Sequence, residues 1–528
     1  MEFVNSALNT HRQEQFLLVL TLNFKLMKQL KYIFLNGLVL IIVFSTCGCS
    51  DFLEQEPGAQ VSINEQLSSK AGVQEALTGI YKDIEGLVRS ANFGLYADYQ
   101  GGNLTFTPSQ ANSIKGEIST PNQIENTYNF QDQSNNSDFS SFYNNSYDII
   151  NQVNLILEFI NEVPDASQTE KNQIIAEALS IRGYTHFLLS LIYCQNYDFT
   201  NDASHLGIVY NTKTLTNGEI NYPSRETLSN TYKFIETDLL EAIELYTPEN
   251  ALGKGPATSY FTEYATKALL ARVYLYKNDW DNAFKMANDV ISNSGKILTP
   301  KSEYISEWKE PNAPLSEMLL EFSPPRDNED DVSAGMYQYY GYFYDAKENT
   351  LQYSRYVSSQ DLLNLFEPDD LRIQLFQSFD IETFSGMVNG ERDYDDLPYY
   401  FTNKYQDNAG YIAFRLSEMY LIRAEAYLNN EKFEEAKNDI NTIRSRANAS
   451  LLENTNNLED AILLERRKEL CFEGHLFFDL RRNHKDIIRN QGCYSTVCNL
   501  SYPSPKLILP IPLNNLNLNS NLKQNESY

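Results

Sequence analysis

Acidic and basic side chains alternate at close spacing in one stretch, ERRKELCFEGHLFFDLRRN, which begins at Glu465. Glu465 and Lys468, Arg466 and Glu469, and Asp479 and Arg482 each fall three residues apart, so on a helix the members of each pair meet. Acids beside bases could move protons or hold a phosphate. Alternating signs along a helix more often join into a salt-linked frame, and no catalytic residue is assigned here. HExxH, GxSxG, a P-loop, GxGxxG and paired CxxC do not occur. The histidines beyond the N-terminal leader are His186, His205, His475 and His484. His186 sits in an amphipathic helical pattern with no second ligand at metal spacing, so it reads as a hydrogen-bonded core residue. Asp327 to Asp331 lacks the spacing of a calcium loop and reads as a solvated charge run. No metal or cofactor is called for. A glycoside hydrolase needs only two carboxylates without local spacing, and the chain carries 70 Asp and Glu, so that alternative stays open.

A second kind of chemistry lies in aromatic rings set among amides and acids. The chain has 36 Tyr and 29 Phe, many of them in Asn-, Asp- and Gly-rich segments. Flat apolar faces beside hydrogen-bonding edges suit neutral sugars. In NFGLYADYQGGNLTFTPSQ, Tyr96, Asp98 and Asn103 cluster; further on stand Trp308 and the run from Tyr337 to Tyr344. Alternation would set Tyr340, Tyr342 and Tyr344 on one side of an extended chain, against Tyr339 and Phe343 on the other. The candidate ligand-binding residues are therefore Tyr96, Asp98, Asn103, Trp308, Tyr340 and Tyr342. A net charge of −28 argues against nucleic acid as a partner, because phosphate binding needs clustered Lys and Arg.

Two further features concern export. From Met27, which reads as the true start, Lys28 and Lys31 precede the apolar run Tyr32 to Phe44, too short for a comfortable membrane span. Ser45-Thr46-Cys47-Gly48 then lead to Cys49, the arrangement of a lipobox in which the cysteine is acylated and anchors the chain to a membrane. The expected organisation is a leader over 1–48, a lipidated tether over 49–63 and a single α-rich domain over 64–528. In an exported chain Cys493 and Cys498, flanking a short loop, could close a disulfide. Cys194 and Cys471 lie in helical patterns and read as buried thiols.

These groups must be positioned by helices. Leu416, Tyr420, Ala424 and Tyr427 keep one helical face, Asn429-Asn430 breaks it, and Phe433, Ala436, Ile440 and Ile443 begin a second. Upstream, Ala271, Tyr274, Leu275, Trp280, Ala283, Ala287 and Val290 match Ala424, Tyr427, Leu428, Phe433, Ala436, Ile440 and Ile443 at one constant offset. The fold class is mainly α, a scaffold of tetratricopeptide-like helical hairpins over about 142–296 and 411–482. An irregular, loop-rich region with short strands, over about 88–141 and 297–410, would carry the ligand. Further helices are expected over 64–87, 142–160, 169–194 and 227–246.

RLSEMYLIRAEAY, ERRKELCFEGHLFFDLRRN and LILPIPLNNLNLNSNLKQN, in this order and spacing, resemble the SusD/RagB family of nutrient-binding outer-membrane lipoproteins. The resemblance implies a globule held by its lipid on the outer face of the outer membrane. It implies capture of an oligosaccharide or another polymeric nutrient, without turnover, for a SusC-like TonB-dependent transporter. A surface glycoside hydrolase and a purely adhesive or structural lipoprotein are the alternatives.

Overall fold

A computed structural model describes residues 62–214, 220–247, 255–310, 314–323, 335–405 and 410–528. The leader, Cys49 and most of the tether lie outside the described residues, as does the acidic run 327–331. Asn64–Tyr528 form one compact unit.

Apolar residues at helical spacing make a succession of helices, each packed on the next: α1 (Lys70–Arg89), α3 (Ser140–Phe159), α4 (Gln168–Tyr193), α5 (Leu228–Leu245), α6 (Glu263–Lys277), α7 (Trp280–Asn293), α8 (Leu416–Asn429), α9 (Phe433–Arg446) and α10 (Leu458–Glu469). The short α2 (Tyr96–Gly101) packs against α11 (Leu476–Arg482). Local capping sets the starts. Ser167 and Glu170 form a reciprocal capping box at α4, and Thr227 accepts from the Asn230 amide at α5. The sequence places the start of the first helix near residue 64, whereas α1 begins at Lys70 because Ser69 caps it, accepting from the Gly72 amide.

The repeat extends to the turn itself. Asn278 and Glu431, at equivalent positions, both take the left-handed conformation with φ of 59°. Their amides donate to Leu275 and Leu428 carbonyls at 3.2 and 3.1 Å, and the next amides, of Asp279 and Lys432, reach back to Tyr274 and Tyr427 at 3.0 and 2.8 Å. Buried Ala271, Ala283 and Ala287 in one hairpin, and Ala424 and Ala436 in the other, let the paired helices approach closely.

The region between the two hairpins is more regular than its composition suggests. Extended segments form two-stranded antiparallel ribbons: β1 (Leu104–Phe106) with β5 (Tyr356–Ser358), β2 (Met318–Phe322) with β8 (Tyr411–Arg415), β3 (Tyr342–Asp345) with β4 (Thr350–Tyr353), and β6 (Phe376–Val388) with β7 (Glu391–Thr402). The last pair, of 13 and 12 residues, runs opposite to the expectation of short strands. It turns at Asn389-Gly390, with φ of 53° and 86°, the left-handed pair that a tight hairpin requires. β8 runs directly into α8, and β2 beside it is buried along its length, so the ribbons are tied into the helical stack. Cys493 and Cys498 are bonded, with an S–S distance of 2.09 Å, while Cys194 and Cys471 are buried free thiols.

A side chain with a Cβ resists the left-handed region, and a β-branched one most of all. Glu431→Val should therefore lower unfolding free energy by about 1–2 kcal/mol in urea titrations, while Glu431→Gly should leave it within a few tenths.

Candidate functional site

The alternating charges of the ERRKEL stretch turn inward. Glu469, at the end of α10, accepts from Arg372 at 3.1 Å, Arg415 at 2.7 Å and Arg446 at 2.6 Å. Arg415 also reaches Glu317 at 3.1 Å and Glu473 at 2.7 Å, and Lys404 donates to Glu473 at 2.7 Å. Arg372 binds Asp370 at 2.8 Å and Glu465 at 2.7 Å; Arg444 also binds Glu465, at 2.9 Å. All of these side chains are buried. Burial alone would push Glu469 up, but Arg446, Arg415 and Arg372 outweigh it and hold its carboxyl well below the usual range. Glu465 is depressed in the same way against burial, chiefly by Arg372, and Glu317 by Arg446 and Arg415.

Two of the three pairs expected along this stretch form. Glu465 meets Lys468 at 3.4 Å, and Asp479 meets Arg482 at 2.9 Å. Arg466 and Glu469 do not pair: three arginines from elsewhere surround Glu469, and Arg466 turns to Asp479 at 2.9 Å. The motif is thus a hub. It joins Glu317, Asp370, Arg372 and Lys404 of the inserted region to Arg415 and Arg446 of the second hairpin. His186, likewise internal, has Nδ1 at 2.9 Å from the Arg182 carbonyl and accepts from the Asn211 amide at Nε2, while burial first, then Arg182, pulls its pKa down to about 3.

Most of the residues expected to grip a ligand serve this interior instead. Tyr96, Asp98, Asn103, Trp308 and Tyr340 are all 0 to 1% exposed and offer no face to a ligand. Asp98 accepts from Asn103 at 2.8 Å and from the amides of Phe472 and Gly474 at 2.8 and 3.2 Å, which fastens α2 to the FEGH segment. Arg467 donates from Nε to Asn103 Oδ1 at 2.9 Å. Tyr96 packs edge-on to Phe139 and Phe477. Trp308 lies beneath Lys404 and Arg415, at 5.1 and 5.6 Å from its ring centre. Tyr340 belongs to a helical turn, Tyr337–Tyr340, and stacks on Tyr405 at 5.3 Å, so the alternation expected from Tyr340 onward begins only at Tyr342.

Among the expected aromatic run, the rings that reach the surface are on β3. Tyr342 is half-buried against Phe379 and Phe401, and its hydroxyl donates to Asn403 at 3.1 Å. Tyr344 leans on Phe379 yet is 44% exposed, and Phe343, on the other side of the strand, is 59% exposed. Phe343 is in register with Gln352 of β4, which sets an exposed ring beside an exposed amide. These hairpins enclose a small core of their own: Val357, Ile381, Tyr399 and Phe401. A ring platform with amide neighbours can stack on a sugar face and bond its hydroxyls. Phe343, not the expected Tyr342, is the more exposed ring, because alternation gives two sides and not which of them is covered.

Residues 51–275 match the SusD-like family model for starch binding in association with the outer membrane, and residues 387–528 match the SusD family model. The chain belongs to the SusD family. A SusD-like protein of Formosa agariphila is 22% identical to it over 542 residues, spanning 92% of this chain and 97% of the relative. A SusD superfamily protein of Bacteroides thetaiotaomicron shares its fold with a TM-score of 0.69 at 26% identity, covering 87% of this chain and 99% of that one. A SusD-like carbohydrate-binding protein of Bacteroides vulgatus superposes with a TM-score of 0.67 at 18% identity, over 86% of this chain and 97% of that one. As in a SusD-family scaffold, the fold is mainly α with tetratricopeptide-like hairpins. Among the described residues no helix is long and apolar enough to cross a membrane.

Removing one partner from a buried charge cluster leaves the others uncompensated. Glu469→Gln is expected to cost about 3–5 kcal/mol in chemical denaturation, far more than a surface Glu→Gln control such as Glu434→Gln. The pH profile follows from two opposed sets of acids. Burial pushes Asp98 up to about 6 and Asp132 up to about 7, so the folded chain holds their protons more tightly than the unfolded one. Their contribution to stability falls as pH rises from about 4 to about 7. The depressed acids of the hub contribute fully above about 4.5 and are lost as pH falls below it. His186 and His475, kept neutral by burial, join the second set, because their contribution is lost as pH falls through about 6.5. The thermal midpoint should therefore peak near pH 6, and a maximum below about pH 5 or above about pH 7 would contradict this assignment.

Proposed function

We propose that this chain is a lipid-anchored cell-surface protein that captures an oligosaccharide and passes it, unaltered, to a SusC-like TonB-dependent transporter. One observation carries the reading: a helical stack holds out an aromatic hairpin, with Phe343 facing solvent beside Gln352 and Tyr344 partly exposed on the other side of the strand, in a chain of the SusD family. The carboxylates of the most charged motif are engaged by Arg and Lys in the interior, which favours a binding role over hydrolysis. Stacking and hydrogen bonds at an open surface recover little desolvation energy, so affinity is expected to be about micromolar or weaker. Acylation of Cys49 would supply the anchor, and the transporter would supply the route inward.

The test uses protein beginning at Ser50, titrated calorimetrically with soluble fragments of starch, dextran, mannan and xylan. Binding of at least one fragment without its cleavage is expected. Phe343→Ala and Tyr344→Ala should each weaken it by about threefold to tenfold with unchanged helical circular dichroism. Hydrolysis of a fragment by the purified chain would favour the glycoside-hydrolase alternative. In cells, Cys49→Ser should abolish palmitate labelling and release the protein from the membrane fraction.

A further inference from the structure

Two clefts away from the β3–β4 face share a single turn. The first, of about 360 Å³, lies where the helix hairpins converge and is lined by Trp280, Asn278, Asn429, Glu459, His484 and Asp198. The second, of about 430 Å³, is lined by Phe199, His205, Pro503, Ser504, Asn525 and Glu526. Asp198 faces one cleft and its neighbour Phe199 faces the other. The dividing wall is bonded together: Asn196 donates to Asp198 at 2.7 Å and to the Tyr502 hydroxyl at 3.1 Å, while His484 stacks on Tyr502 at 4.6 Å and lies 3.1 Å from Asp198.

The lining has the composition of a sugar site on both sides of the wall. Trp280 is half-buried, and Phe199 is 43% exposed and edge-on to His205, so each cleft has a ring with an exposed carboxylate near it, Glu459 in the first and Glu526 in the second. Asn278 and Asn429 add amides to the first cleft, whereas Asn525 is engaged by Tyr193, Leu509 and Arg225. Carboxylates accept from hydroxyls, and amides both donate and accept, which matches a polyol. An anionic ligand is disfavoured. Arg482, in the first cleft, directs both terminal nitrogens to Glu425 and its Nε to Asp479, leaving no guanidinium edge for a phosphate, sulfate or uronate. Each cleft falls within the roughly 300–1,000 Å³ typical of small-ligand sites.

We propose that these clefts are two subsites of one groove for a neutral oligosaccharide, separate from the β3–β4 face, with Trp280 and Phe199 as the two stacking platforms. The proposal rests on the glycan-binding reading above but on different residues. It also has an internal probe. The chain has two tryptophans, and Trp308 is fully buried, so quenching by acrylamide reports mainly on Trp280.

The experiment takes whichever of the starch, dextran, mannan or xylan fragments binds in calorimetry and repeats the titration with acrylamide quenching. Protection of Trp280 at saturation is expected, together with a loss of affinity of about threefold to tenfold in Phe199→Ala and in Glu459→Gln. Both substitutions are at surface positions, so folding is preserved and is checked by the thermal midpoint. A fragment that binds, loses affinity in Phe343→Ala, yet leaves Trp280 quenching and both groove variants unchanged overturns the groove and spares the broader reading. Failure of every fragment to bind overturns both. Groove variants that bind glycan normally but no longer co-purify with the transporter would make this surface a protein contact instead and overturn the proposal.

Discussion

Everything in the globule hangs on the balance of charge around Glu469. A lone carboxylate in such a place would be protonated or expelled; with Arg372, Arg415 and Arg446 against it, it stays ionised. The partners come from chain segments far apart in sequence, so the network can close only when the inserted ribbons, the second helix hairpin and α10 have all arrived. Ion pairs of this sort contribute little net stability compared with apolar packing of the same volume, but they penalise wrong arrangements heavily. Register is what the hub enforces. The β2–β8 ribbon, with Glu317 just before one strand and Arg415 ending the other, shows this directly, because a slip would part both residues from their partners.

Asp98 extends the same logic to the N-terminal part of the fold. Its carboxylate takes backbone donors from the FEGH segment and the side chain of Asn103, which in turn accepts from Arg467. Tyr96 against Phe477 and Tyr340 against Phe472 complete an interior in which aromatic and charged groups are interleaved. Such an interior explains how so acidic a chain can hold a large core. The basic residues are drawn inward to meet selected acids, and much of the remaining negative charge is left at the surface.

The helices were legible in the sequence because their signal is local. Period, caps and the constant offset between Ala271 to Val290 and Ala424 to Ile443 lie within short windows, and the matching turns at Asn278 and Glu431 carry the repeat through to the backbone. The ligand residues were not legible in the same way. Whether Tyr96, Trp308 or Tyr340 is covered depends on what packs over it from distant segments, and no periodicity records that. The pairing of Glu469 failed for a similar reason: a spacing of three permits Arg466 as partner, but three remote arginines compete for the same oxygens. The β6–β7 hairpin had a usable signal, Asn389-Gly390, masked by flanking strands whose exposed faces are rich in acids. Trp280 was visible as a repeat position, and its place in a cleft became apparent only once Asp198 and His484 were brought beside it.

The β3–β4 and β6–β7 ribbons pack around Val357, Ile381, Tyr399 and Phe401, a cluster that borrows none of the hub's ions. This partition separates two engineering problems. The far ends of these ribbons, away from Arg372 and Lys404 at the roots of β6 and β7, could be lengthened, shortened or replaced with those of another binder while the ionic framework goes undisturbed, which makes them a natural graft point for altering selectivity.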